Sequence, residues 1–197
     1  MVGVGPSFGY NRIPMQTISF STGWLKLLIG FVAVFLIRLL PMRPANFEPM
    51  LATLMPFSTR FGFITSFLFG FLGIALFDLV TSGIGMWTVV TGFMYGALGV
   101  SAHLFFQNRK ASTKNFLAFG IGGTLVYDAV TGLITGPLFF GQPLIAAIIG
   151  QIPFTLMHLL GTVVFTLALS PALYKWVVRN DTLEIPVLTR KLAHVLR

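Results

Sequence analysis

The sequence predicts an all-α integral membrane protein: a compact bundle of six transmembrane helices, the second of them short, followed by an interfacial helix near the C-terminus. Three observations predict it. Only 9% of the 197 residues are charged while 55% are hydrophobic, whereas a soluble domain carries roughly a quarter charged residues to cover its surface. Apolar runs long enough for a hydrocarbon core of roughly 30 Å, which takes about 20 residues, recur at 22–40, 61–80, 87–106, 115–135 and 144–169. The 13 Lys and Arg, against five Asp and Glu, lie mostly between and after those runs. That pattern orients helices in a bilayer, so the net charge of +8 points to lipid and not to nucleic acid.

Residues 1–21, rich in Gly, Ser, Thr and Pro, read as an N-terminal extramembrane segment. The first apolar run starts too far in and is too long for a secretory signal, and no small-x-small pattern closes it, so it reads as a retained helix. The stretch 46–57 is apolar but short and carries Pro49 and Pro56, which makes it either a stunted second helix or a re-entrant piece buried in protein. If it crosses, eleven of the thirteen basic residues share one side with both termini, and only Arg38 and Arg43 lie opposite. If it does not, Arg12 and Lys26 change sides and the other eleven stay together, so charge alone does not choose.

The turns after Val80 and Thr135 carry no basic residue and are expected outside. The transmembrane bundle then covers 22–170 and a cytoplasmic amphipathic tail covers 171–197. Tyr174, Lys175, Trp176 and Arg179 open that tail as interfacial anchors. From Pro186 a short helix places Leu188, Leu192 and Val195 on one side and Arg190, Lys191 and Arg197 around the other, suited to the inner membrane surface.

Small residues at Gly62, Ser66 and Gly70, and at Gly92 and Gly96, predict close helix packing. Gly150 and Pro153 are expected to bend the last helix beside Gln151, because Pro removes one backbone hydrogen bond. Two segments fifty residues apart share an aromatic-Asp-x-Val-Thr pattern, Phe77-Asp78 through Thr81 and Tyr127-Asp128 through Thr131. They read as an internal duplication placing each Asp at the outer end of a helix.

Carboxylates inside a membrane are costly and face the bundle interior or a water-filled cavity, so Asp78 and Asp128 are the leading candidates for function. Each has a threonine at i+3, Thr81 and Thr131. Thr124, Asp128, Thr131 and Thr135 form one polar stripe; Gln151, Thr155, His158, Thr162 and Thr166 form a second; Trp87, Thr91 and Tyr95 form a third. Stripes of this kind line a common pocket for a small amphipathic molecule, to which Glu48 and Tyr127 are added as substrate-binding residues. The bland alternative is that the threonines bond their own backbone, the Asp residues cap turns and His158 is a packing residue. No catalytic set is assigned. Cysteine is absent, which excludes thiolate chemistry, and no two His have metal-binding spacing, so neither metal nor cofactor is expected. No Gly-x-x-x-x-Gly-Lys loop exists, so energy from ATP would have to come through partner subunits.

Through Arg43-Pro44-Ala45-Asn46-Phe47-Glu48-Pro49, the short apolar segment, Arg60-Phe61-Gly62 and the helix ending Leu76-Phe77-Asp78, the chain resembles the substrate-binding S components of energy-coupling factor (ECF) vitamin transporters. The resemblance covers roughly residues 22 to 170. It implies a six-helix bundle in the plasma membrane of a prokaryote, with the first external loop, Asn46 to Pro49, covering a small vitamin-like ligand and Asn46 among the substrate-binding residues. It also implies as partners a transmembrane coupling protein and two ATPase subunits. Helix one departs from the family, which commonly carries small residues four apart there, since Gly30 is followed by Val34 and Ala33 by Ile37.

Two other classes fit parts of the pattern. A cell-shape or other membrane scaffold protein of similar size would use the polar stripes for assembly and have a solid core. An intramembrane aspartyl protease would use Tyr127-Asp128 as half of its signature, but the Gly-x-Gly-Asp half is absent.

Overall fold

The computed structural model describes residues 17–195, without the side chains of Leu192, His194 and Val195. Most of the predicted N-terminal segment and Arg197 therefore lie outside the described residues. The helices in chain order are α1 (Phe20–Arg38), α2 (Met50–Ser58), α3 (Phe63–Thr81), α4 (Met86–Gln107), α5 (Thr113–Asp128), α6 (Gly136–Phe140), α7 (Leu144–Leu173) and α8 (Ile185–Val195). A π turn, Ala129–Thr135, joins α5 to α6, and another, Tyr174–Val178, prolongs α7. Among the described residues, five helices are thus long and apolar enough to cross a membrane: α1, α3, α4, Thr113–Phe140 and Leu144–Val178.

Two helices outrun their expected ends at 135 and 169. Gly136-Pro137 and Pro171 read in sequence as terminators. Here the helix instead runs on through both prolines, its register slipping into a π turn before Pro137 and into another after Pro171. Thr135 shows the slip directly, its hydroxyl donating to the Val130 carbonyl five residues back at 2.9 Å. The continuation also corrects the duplication reading. Asp78 lies in the last turn of α3, but Asp128 sits well inside the helix that ends at Phe140.

The short helix α2 is the hub. All nine of its residues are buried, and it packs against α1, α3, α4, α5 and α7. A helix apolar all round belongs in an interior, and nine residues rise only about 13 Å, less than half the hydrocarbon core. Such a helix can exist at that depth only if its terminal backbone groups find partners, and it does so with side chains from its neighbours. Pro56 has no N–H, which frees the Ala52 carbonyl, and the Ser170 hydroxyl of α7 donates to it at 2.6 Å. His103 Nδ1 of α4 meets the Ser58 carbonyl at 3.2 Å.

α2 runs antiparallel to α1. Its far end reaches the start of α1, where Ile18 N–H donates to the Arg60 carbonyl at 2.7 Å. Its near end sits at the finish of α1, where Arg38 pairs with Glu48. Short connections make the remaining long helices antiparallel neighbours, so the bundle has two ends. One carries the start of α1, Arg60, the Arg109–Lys110 loop and the tail after Val178. The other carries Arg38, Arg43, Glu48, Asp78 and Trp87.

Close backbone approach holds α3 to α4. A Cβ at Gly70 would strike the Tyr95 carbonyl, and one at Gly99 the Ser66 carbonyl. Gly70 and Ser66 follow the small-residue pattern, whereas Gly99 falls outside the Gly92-Gly96 spacing that drew attention to α4. At the end bearing the start of α1, Lys26 is fully buried. Its Nζ donates to Glu184 Oε1 at 2.8 Å and to the Val178 carbonyl at 3.1 Å, tying the tail to α1 just before α8.

Candidate functional site

Two adjoining chambers open at the end opposite Lys26. The first, of about 150 Å³, is lined by Arg38, Asn46, Glu48, Ile74, Asp78, Trp87, Thr91, Tyr95, Tyr127, Phe154 and His158. The second, of about 460 Å³, is more apolar and is lined by Trp87, Thr131, Gly132, Gly136, Phe140, Gln142, Ala147, Gly150, Gln151 and Phe154. Trp87 and Phe154 belong to both and form the partition between them.

The segment before α2 brings the charged wall into place. Asn46 adopts a left-handed backbone at φ 65°, a conformation that asparagine tolerates better than most residues. The turn directs Glu48 between two arginines, with Arg43 Nη1 2.9 Å from Oε1 and Arg38 Nε 3.3 Å from Oε2. Arg43 Nη1 also donates to the Phe47 carbonyl at 2.9 Å. The Arg38 guanidinium lies over the Phe77 ring, 3.9 Å from its centroid, and donates to the Gly73 carbonyl at 3.4 Å. Gly161 of α7 lets this turn sit close, because a Cβ there would lie 2.8 Å from the Glu48 backbone nitrogen.

The facing wall comes from α3, α4, α5 and α7. Asp78 does not cap its own helix end with its side chain. Its Oδ2 instead accepts from the Thr88 hydroxyl at 2.7 Å, and Thr88 in turn accepts from Gly85 N–H at 3.2 Å, fastening the end of α3 to the start of α4. Deeper in, Asp128 Oδ1 and His158 Nδ1 are 2.7 Å apart and both residues are buried. A carboxylate can only accept, so the proton on this contact is carried on Nδ1 when Asp128 is ionised. His158 Nε2 then faces the Tyr95 hydroxyl at 3.4 Å. Asp128 Oδ2 is buried with no hydrogen-bond partner. The Tyr95 and Tyr127 rings pack at 4.7 Å between centroids, and Tyr127 and Phe154 each meet His158 edge-on.

Of the residues expected to bind a substrate, Asn46, Glu48, Asp78, Trp87, Thr91, Tyr95, Tyr127 and His158 line the first chamber, and Trp87, Thr131 and Gln151 line the second. Asp128 stands one side chain behind, acting through His158. Thr155 accepts from Gln151 Nε2 at 3.1 Å. Thr81 is not brought in: it is exposed, and its hydroxyl donates to the Phe77 carbonyl at 2.8 Å. The reason is its place as the last residue of α3, one turn beyond Asp78 toward the open end of the bundle. Thr91 and Thr131 also bond their own helices, at 2.8 Å to the carbonyls of Trp87 and Tyr127. Thr124 and Thr162 instead bond each other at 2.7 Å, making the seam between α5 and α7.

Sequence reasoning missed Arg38, Ile74 and Phe154 as lining groups of the first chamber, and Gly132, Gly136, Phe140, Gln142, Ala147 and Gly150 of the second. Arg38 carried a signal, a cation at the end of an apolar run one loop before Glu48. Phe154 carried none, being one of 21 phenylalanines. Asp78 and Asp128 have separate partners, Thr88 and His158, and do not face each other as a carboxylate dyad. The arrangement is suited to holding a polar solute. No family model, curated protein or solved structure matches the chain.

Proposed function

We propose that the chain is the membrane-embedded substrate-binding subunit of an ECF-type importer. It captures a small water-soluble vitamin or related metabolite from the external side and delivers it inward with a transmembrane coupling protein and two ATPase subunits. One observation carries the reading: ionisable side chains from α1, α3, α7 and the segment before α2 converge on empty space. A scaffold gains nothing from holding charged groups around a void, since each is costly at membrane depth unless water or a ligand solvates it.

Orientation supports the same reading. With α2 counted as a sixth crossing, eleven of the thirteen basic residues fall on the side away from the chambers, which the positive-inside rule makes cytoplasmic. The chambers then open outward, both termini are cytoplasmic, and α8, with Arg190 and Lys191, lies along the inner surface of a prokaryotic plasma membrane. The second chamber falls within the about 300–1,000 Å³ typical of small-molecule sites. The first is smaller and suits one end of a ligand whose body occupies the second.

Binding of a panel of vitamins and related metabolites to the purified protein tests the reading, scored by a rise in the unfolding midpoint. Binding that Asp78→Asn and His158→Ala weaken supports it; no binding across the panel, with uptake unaffected by both substitutions, overturns it. Because the chain has no native cysteine, single cysteines introduced at Ala45 and Ser112 report topology cleanly. The proposal requires them to label from opposite sides.

A further inference from the structure

Resting on that reading, we infer that the first chamber receives the positively charged end of its ligand, an ammonium, a quaternary ammonium or a protonated nitrogen heterocycle. The two arginines beside it are already charge-paired, although the Nε of each is buried without a hydrogen-bond partner. Both pair with Glu48, and Arg38 is further held by the Gly73 carbonyl and the Phe77 ring. An anionic ligand would have to compete with Glu48 for them.

The opposite wall has negative charge to spare. Asp78 lines the chamber with a single hydroxyl donor, Thr88, and no cation of the described residues lies within ion-pair distance of it. Behind His158, Asp128 leaves its buried Oδ2 without a donor. Four aromatic rings, Trp87, Tyr95, Tyr127 and Phe154, complete the lining. Aromatic faces attract cations, most strongly where water is excluded. The size agrees: a chamber of about 150 Å³ is the volume that holds a benzene-sized group, comparable in bulk to a trimethylammonium head. The uncharged remainder would pass Trp87 and Phe154 into the larger chamber, whose polar side chains, Thr131, Gln142 and Gln151 beside Trp87, carry no charge.

Three probes of similar shape and different charge test this on the unmodified protein in lipid nanodiscs: choline, its neutral carbon isostere 3,3-dimethyl-1-butanol, and pivalate. The readout is the unfolding midpoint against probe concentration. Choline is expected to stabilise at about tenfold lower concentration than the neutral isostere, the factor that a cation–aromatic and carboxylate contact of about 1.4 kcal/mol produces, with pivalate inert. Asp78→Asn should shrink that preference severalfold. No response to choline overturns the inference, as does an equal response to choline and the neutral isostere, or a preference for pivalate. The last two outcomes leave solute binding intact, since a probe has then bound. Failure of the wider vitamin panel is what overturns the solute-site reading itself.

Discussion

The two ends of the bundle treat buried charge in opposite ways. At the end bearing the tail, Lys26 is sealed from solvent and its ammonium is consumed by Glu184 and the Val178 carbonyl, side chain closed on chain. At the other end Arg38, Glu48 and Asp78 surround a cavity and keep partial access to it. One end uses a charge to fasten two segments; the other holds charges apart around a space. The first kind of arrangement is read as structure and the second as a site, although both consist of the same residue types at a helix end.

Removing one partner from each arrangement should separate them. Glu184→Ala strands a fully buried ammonium and is expected to cost about 3 kcal/mol of stability, measured by denaturant unfolding in micelles, whereas Lys26→Met, which removes the charge itself, should be close to neutral. Equal losses for the two would mean that the pair is not sealed. Ser170→Ala, at the hub between the ends, leaves the Ala52 carbonyl without a donor and should cost about 2 kcal/mol. A loss near zero would show that water reaches the hub.

Glu48→Gln removes the carboxylate between Arg38 and Arg43, which are only 11% and 17% exposed, so it leaves two largely buried cations without their counterion and about 2 kcal/mol is expected. A cost matching that of Glu184→Ala would erase the contrast between the ends. Smallest of all, Asp78→Asn retains an oxygen for the Thr88 hydroxyl and should change stability by about 0.5 kcal/mol while weakening ligand binding. Unchanged binding in that variant, with a ligand in hand, would place the site elsewhere.

The long helices were legible because lipid imposes a length and an apolarity that no other environment demands. Their ends were less so. Gly136-Pro137 reads as a stop, yet the helix continues through a π turn whose Thr131 and Thr135 are buried and bond back to their own helix. The short segment at 46–57 announced itself by length and by its two prolines. Its central position was foreshadowed by the lack of any polar face, a signal that periodicity analysis aimed at amphipathic helices passes over.

At the site, the polar stripes of α5 and α7 were readable because threonines and a histidine at steps of three and four stand out against an apolar background. The pairing of Asp128 with His158 was not, since thirty residues separate them and nothing in the spacing names the partner. The Lys26–Glu184 contact, 158 residues apart, is a more extreme case: a lysine inside an apolar run signals a buried charge, but only the fold supplies its counterion. Thr81 shows the converse error, where the i+3 rule of helix faces ran into a helix about to end.

The Ser170 hydroxyl on the Ala52 carbonyl has a consequence for biogenesis. A ribosome delivers α2 to the membrane well before the residue that completes its hydrogen bonding. A nine-residue helix with an open carbonyl is a poor candidate for independent insertion, and its backbone hydrogen bonding is complete only once α7 is present. Chains shortened to end before α7 should leave a cysteine placed at Ala52 open to water-soluble labels that the full chain excludes.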